Sequence, residues 1–115
     1  MLPAASRMTS AADFKSVMRR GTKSGRPTVV VYLKQTGNAN SIAGFAVSRA
    51  IGGAVIRNRV KRRLRAIMAD VLPTLPTGSA VVVRALPRSA TTDYQGLRGD
   101  VVSGLDTCQR KAALV

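Results

Sequence analysis

Residues 54–71 read AVIRNRVKRRLRAIMADV, and this stretch decides how the chain folds. Apolar residues recur along it every three or four positions, at Ile56, Val60, Leu64, Ile67 and Val71. That spacing predicts an amphipathic α-helix with one buried stripe. Gly52-Gly53 breaks the pattern before the helix as a tight turn, and Pro73 and Pro76 end it.

Within this helix, residues 57–65 (RNRVKRRLR) are basic at six of nine positions. With Val60 at the centre of the buried stripe, the helical period assigns the other residues to three faces. Arg57, Lys61 and Arg65 follow one flank, Arg59 and Arg63 follow the other, and Asn58 and Arg62 point away from the core. Like charges four positions apart destabilise a helix by about 0.2–0.5 kcal/mol per pair. The helix must therefore depend on its apolar stripe and on an anion that it meets, and arginine forks suit phosphate oxygens.

Four further elements can be predicted on either side of this helix. Ser10-Ala-Ala-Asp13 resembles a capping box and predicts a short helix over residues 10–20 that stops at Gly21. Residues 28–34 and 41–48 are predicted to be strands that pair as a hairpin, and residues 79–85 form a third strand. The mixture predicts an α+β or α/β domain with one small sheet.

The last predicted element is a helix capped by Thr92. Its inner face carries Tyr94, Leu97, Val101, Leu105 and Cys108. Three glycines, at positions 96, 99 and 104, each weaken this helix by about 1 kcal/mol relative to alanine.

Charge along the chain is large and segregated. The 115 residues, enough for one domain with a single core, carry a net charge of +14. The interval between Asp13 and Asp70 contains no acidic residue and thirteen of the nineteen basic ones. This imbalance indicates a polyanionic partner, most commonly nucleic acid, and the alternative is a solvated surface that only confers solubility.

The composition excludes several kinds of catalytic or metal site. The chain has no His and no Glu, so a Ser-His-Asp triad and a His-rich metal site are impossible. A single cysteine, Cys108, excludes an internal disulfide and a cysteine-based zinc site, and it fits a reducing compartment. No apolar run reaches the length of a signal peptide or a membrane span, so we expect a cytoplasmic protein that does not bind a membrane.

Other functions of the basic helix are weaker interpretations. A membrane-surface helix is disfavoured because the stripe lacks aromatics and the neighbouring strands need it as a core. A DNA-recognition helix lacks a second helix at helix-turn-helix spacing. Gly52-Gly53 lacks the spacing of a phosphate-binding loop, although the helix N-terminus that it opens can itself hold a phosphate.

Several segments together resemble one known family. Residues 44–48 (GFAVS), Gly52 and residues 54–65 (AVIRNRVKRRLR) are similar to the signature of the bacterial ribonuclease P protein subunit. Leu2-Pro3 and Arg7 fit the family's opening, and Asp13-Phe14 with Val17 and Gly21 fits its first helix. Residues 81–84 (VVVR) and Pro87 fit its late strand and turn, so the resemblance covers nearly the whole chain.

The resemblance implies a fold and a function. The fold is a small single-domain α/β sandwich over residues 1–115, of the α+β class, in the order α-β-β-β-α-β-α. Its four-stranded sheet has a left-handed β-α-β crossover, and an extra strand lies near residues 22–26. The function is that of an accessory subunit of a ribozyme, the endoribonuclease that removes the 5′ leader from precursor tRNA. The protein side chains are not catalytic and hold no metal or cofactor, since the catalytic RNA binds the Mg²⁺ that hydrolysis requires.

The resemblance also implies two RNA-binding surfaces, with no role in DNA binding. The surface that contacts the catalytic RNA maps to Arg57, Asn58, Arg59, Lys61, Arg62 and Arg65. A cleft for the single-stranded leader of precursor tRNA, between the first helix and the sheet, maps to Phe14, Lys15, Met18 and Tyr32. An exposed aromatic on a sheet is a platform for unstacked bases. The alternative is that Phe14 and Tyr32 belong to the core.

Three positions depart from the family pattern. Met18 stands where a second Phe is frequent, Ala50 replaces a usual Lys, and Gly53 replaces a usual Asn. The change at position 50 removes one phosphate contact, and stacking at position 18 is weaker.

Three other functions are weighed against the family's. They are a structural RNA-binding protein of the ribosome or its assembly, a DNA-compacting protein, and a self-sufficient nuclease. The last is the weakest of the three because the chain offers no acid–base pair.

Overall fold

The structure, a computed structural model, describes residues 2–113. Its helices and strands follow the predicted order α-β-β-β-α-β-α. The helices are α1 (Ala11–Arg20), α2 (Ala54–Val71) and α3 (Tyr94–Ala113), and the strands are β1 (Thr22–Gly25), β2 (Val29–Gln35), β3 (Ile42–Ala46) and β4 (Ser79–Ala85). Short 3-10 turns lie between them, among them Arg49–Ile51 before α2 and Pro87–Ala90 before α3. The extra strand implied near residues 22–26 is therefore present as β1.

The four strands form one mixed sheet in the order β1-β2-β4-β3. β1 and β4 pair antiparallel with β2, whereas β3 pairs parallel with β4, with Gly44 opposite Val82. β3, α2 and β4 thus form a β-α-β crossover between adjacent parallel strands. The left-handed sense of that crossover stays a prediction from the resemblance.

The predicted hairpin between β2 and β3 is wrong. β4 lies between these two strands and pairs with both. The physical reason is that β4 is apolar on both faces: all its residues except Arg84 are buried. A strand of this kind belongs in the middle of a sheet.

Helices cover both faces of the sheet. On one face, α2 and α3 pack over the alternate residues Val29, Val31, Val81 and Val83, and this is the larger core cluster. On the other face, α1 packs over a smaller cluster of Met8, Val17, Tyr32, Ala80 and Val82. The basic helix and α1 therefore lie on opposite faces of one thin sheet.

Local chemistry explains where the helices begin. The Ser10 hydroxyl accepts a hydrogen bond from the Asp13 backbone N–H at 3.4 Å and caps α1 as predicted. The cap of α3 is Asp93, not Thr92, because the Asp93 carboxylate accepts a hydrogen bond from the Gly96 N–H at 2.7 Å.

Gly104, inside α3, is explained by packing: a Cβ there would lie 2.7 Å from Cγ2 of Val31. The glycine lets α3 approach the sheet closely.

No helix within residues 2–113 has the length and the apolar character needed to cross a membrane.

Candidate nucleic-acid interface

The apolar stripe of α2 is buried as its spacing predicts. Five residues of the helix belong to the larger core cluster: Val60, Leu64, Ile67, Met68 and Val71. On the opposite side Asn58 and Arg62 are exposed, and the five basic residues of the two flanks are partly exposed. The helix consequently presents its basic side chains around a semicircle that the sheet does not cover.

No ion pair within residues 2–113 neutralises this run. The two salt bridges there join Arg98 to Asp70 at 3.3 Å and Arg110 to Asp106 at 3.0 Å, away from residues 57–65. The first turn of α2 carries no acidic residue, and its N-cap, Gly53, offers no side-chain hydrogen bond. No carboxylate of the described residues therefore offsets the mutual repulsion of the run by an ion pair.

The two flanks of α2 differ in their partners. Arg59 and Arg63 donate hydrogen bonds to backbone carbonyls of the segment before α3, those of Ala90 at 2.8 Å and Thr92 at 3.0 Å. Arg59, which the resemblance assigns to the surface for the catalytic RNA, thus has its guanidinium turned toward the fold, whereas Arg62 points away from the core as predicted. On the other flank, Lys61 and Arg65 face a cleft.

That cleft, of about 240 Å³, lies at the outer edge of β3 between α1 and α2, where Arg7 bridges to Ala43. Lys61 and Arg65 line it together with Arg7, Phe14, Gly44 and Phe45. Phe14 packs directly on Gly44, where a Cβ would lie 2.5 Å from the ring. The structure thus brings Phe14, which the resemblance assigns to the leader, next to two residues assigned to the catalytic RNA.

The other three residues assigned to the leader cleft differ in how far they are exposed to solvent. Lys15 is exposed on α1 and Met18 is half-buried. Tyr32 is only 6% exposed and lies in the cluster beneath α1. The expectation that Tyr32 offers an open stacking platform is wrong, because α1 covers that part of the sheet, and the alternative of a core residue is correct.

An open part of the same sheet face lies beyond α1. The register places Arg84 of β4 between Val30 of β2 and Ala46 of β3. Arg84 is exposed and the other two are partly exposed, and we refer to these three residues as the sheet strip. A cleft of about 330 Å³ continues from Arg84 past Ser48 and Ala50 to Pro87. Arg84 is absent from the predicted RNA-binding residues, although a lone cation in an otherwise apolar strand is a usable signal.

Comparison with known proteins identifies the family. The family model for ribonuclease P matches residues 2–109. The chain belongs to the ribonuclease P protein family. The ribonuclease P protein component of Streptomyces bikiniensis is 44% identical over 114 residues, covering 91% of this chain and 93% of that protein. That of Kocuria rhizophila is 43% identical and covers 98% of this chain and 100% of its own.

Solved ribonuclease P proteins share the fold. The Staphylococcus aureus protein aligns with a TM-score of 0.76 over 94% of this chain and 95% of its own, at 23% identity. The Thermotoga maritima protein aligns with a TM-score of 0.74 over 90% and 96%, at 25% identity. This chain is thus a ribonuclease P protein component, an accessory subunit of the endoribonuclease that processes the 5′ end of tRNA.

The ribonuclease P chain offers little for side-chain catalysis. Nowhere in residues 2–113 do three Asp, Glu, His or Cys side chains come together as metal ligands. Burial raises the pKa of the Cys108 thiol, and nearby Lys111 and Arg26 only partly oppose this. The thiol donates to the Thr22 carbonyl at 3.4 Å, inside the core. It is a neutral packing group and not an activated nucleophile.

Proposed function

We propose that this ribonuclease P protein binds the catalytic RNA through α2 and the 5′ leader of precursor tRNA along α1 and the sheet strip. One observation supports this proposal above the others: the basic side chains of α2 have no ion-pair partner within residues 2–113, and the opposite side of the helix is buried in the core. Its contacts with the catalytic RNA are Arg57, Asn58, Lys61, Arg62 and Arg65.

The leader path follows from the exposed groups on the α1 side of the sheet. Lys15 and Arg84 supply cations for the backbone of a single strand, and Val30 and Ala46 supply a shallow apolar floor. Of the two aromatics that the resemblance assigns to the leader, Phe14 remains partly accessible for a base. Such a combination of cations and an aromatic binds single strands with little sequence preference.

The metal chemistry belongs to the RNA in this proposal. Mg²⁺ binds protein through carboxylate and carbonyl oxygens, and the described residues do not gather carboxylates. The protein contributes cations that offset the repulsion between two RNA polyanions, so less Mg²⁺ is needed to bring them together. We place the protein with its RNA partners in the cytoplasm.

Arg84→Gln tests the leader path. We expect the holoenzyme to bind leader-bearing precursor tRNA about five-fold more weakly at 0.1 M salt, the value of one lost contact to a single strand. Binding of mature tRNA should be unchanged, and so should the melting temperature, since Arg84 is exposed. Paired affinity measurements on the two tRNAs give the result.

The matched control for Arg84→Gln is Arg110→Gln, which removes a charge that is also exposed, on α3, where it pairs with Asp106. The leader path is contradicted if Arg84→Gln weakens mature and precursor tRNA equally, or if Arg110→Gln has the same effect on the precursor.

A further inference from the structure

We propose that Arg59 and Arg63 are positioning residues that fix α2 against the start of α3 and do not themselves bind phosphate. The inference rests on the proposed function, in which α2 is the helix that binds the catalytic RNA. It divides the basic run into residues that face the RNA and residues that hold the helix in place.

The geometry separates these two arginines from the rest of the run. They lie one helical turn apart on the same flank of α2. Nη2 of Arg59 donates to the Ala90 carbonyl at 2.8 Å, and Nη1 of Arg63 donates to the Thr92 carbonyl at 3.0 Å. Nε of Arg59, like that of Arg57, is buried without a hydrogen-bond partner, so the two carbonyl contacts are what set Arg59 and Arg63 apart. Arg62 makes no such contact and is exposed.

The two carbonyls need these donors. In the segment between the 3-10 turn and α3, the N–H groups of Thr91 and Thr92 both donate to the Arg88 carbonyl. The Leu97 N–H donates to the Asp93 carbonyl. Among the backbone hydrogen bonds of residues 2–113, none ends on the carbonyl of Ala90 or Thr92. Ala90 and Thr92 are partly buried residues, and two charged donors satisfy their carbonyls.

This arrangement has a consequence for RNA binding. Together with the buried stripe, two fixed points one turn apart restrain the rotation of α2 about its axis. That rotation keeps Asn58 and Arg62 directed outward and Lys61 and Arg65 directed to the cleft beside Phe14. The carbonyl dipoles also relieve the repulsion between Arg59 and Arg63, which lie four positions apart. Loss of either arginine should therefore loosen the presentation of all the RNA-facing residues.

The test compares Arg59→Gln with Arg62→Gln, two variants that each lose one positive charge from adjacent turns. Affinity for a cognate catalytic RNA is measured across a salt series well below the melting temperature. For Arg59→Gln we expect a several-fold loss of affinity at every salt concentration, with the salt slope unchanged within about 0.3 units, and a melting temperature lower by roughly 4–8 °C. For Arg62→Gln we expect the slope to fall by about one unit with no change in melting.

Several results would overturn the proposal. A salt slope reduced by about one unit in Arg59→Gln, whatever its melting temperature, makes Arg59 a phosphate contact. An affinity equal to that of the unaltered protein makes it merely structural. Failure of the proposed function itself looks different, since Arg62→Gln would then also leave the slope unchanged.

A second measurement needs no variant and covers the case in which Arg59→Gln does not fold. Guanidinium NMR signals of arginine are recorded in the free protein and after addition of the catalytic RNA. We expect the Arg59 signals to be slowly exchanging in the free protein and unchanged by RNA, and the Arg62 signals to appear only with RNA. The opposite pattern overturns the proposal.

Discussion

Replacing Tyr32 with alanine is expected to destabilise the folded chain by about 3–5 kcal/mol, a large part of a domain's total stability. Tyr32 is only 6% exposed and lies on the covered half of the sheet, where it packs in one cluster with Val17 of α1 and Val82 of β4. Its loss leaves a cavity under α1 that one helix of ten residues cannot close. Thermal or denaturant unfolding of the purified protein measures the effect.

Tyr32→Phe is the matched control, since it keeps the ring and removes only the hydroxyl. We expect it to melt within a few degrees of the unaltered protein and to bind precursor tRNA normally in the holoenzyme. A Tyr32→Ala protein that melts like the unaltered one but loses its preference for leader-bearing tRNA would return this residue to the leader surface and contradict the packing described above.

Removing three charges from α2 should have the largest effect on RNA binding. The variant Lys61→Gln/Arg62→Gln/Arg65→Gln loses cations that the fold leaves without an internal ion pair. If each contacts one phosphate, the salt slope falls by about two to three units, which corresponds to a loss of roughly 100- to 1,000-fold in affinity for the catalytic RNA at 0.1 M salt. The apolar stripe is untouched, so the variant should fold and melt no lower than the unaltered protein.

A second triple variant tests whether the position of the lost charges on α2, and not only the lower net charge, weakens RNA binding. Arg98→Gln/Arg110→Gln/Lys111→Gln also loses three cations, but from α3, where two of them pair with Asp70 and Asp106. We expect less than ten-fold loss of affinity from it. Equal losses from the two variants would mean that the chain binds RNA through its overall charge and not through α2.

The sequence could predict α2 because every local signal agrees there. The stripe has the helical period, glycines precede it and prolines follow it, and the observed helix Ala54–Val71 has the predicted ends. β1 is different: Thr22–Gly25 reads TKSG, without apolar or β-branched periodicity. It is a strand because it pairs with β2 and α3 packs over it, and only the family resemblance pointed to it.

The failed predictions depend on contacts between distant parts of the chain. Whether β3 pairs with β2 or β4 is decided by which strand can be buried on both faces. Whether Tyr32 is an exposed stacking surface for bases or a buried core residue depends on how far α1 extends over the sheet. The acceptors of Arg59 and Arg63 lie 31 and 29 residues away along the chain, so neither helical periodicity nor the family resemblance indicated these contacts. Arg84 interrupts an otherwise buried strand, and that interruption was the only local sign of the sheet strip.

We propose that this chain assists an RNA catalyst, and we expect it to have no nuclease activity by itself. The most direct measurement is the rate of precursor tRNA cleavage across a Mg²⁺ series, with the protein alone, a cognate catalytic RNA alone, and both together. We predict no cleavage by the protein alone at any Mg²⁺ concentration. With the RNA, the protein should shift the Mg²⁺ requirement to lower concentration, because its cations offset the repulsion between catalytic RNA and substrate. Cleavage by the protein without RNA, or a Mg²⁺ requirement that the protein leaves unchanged, would contradict the account.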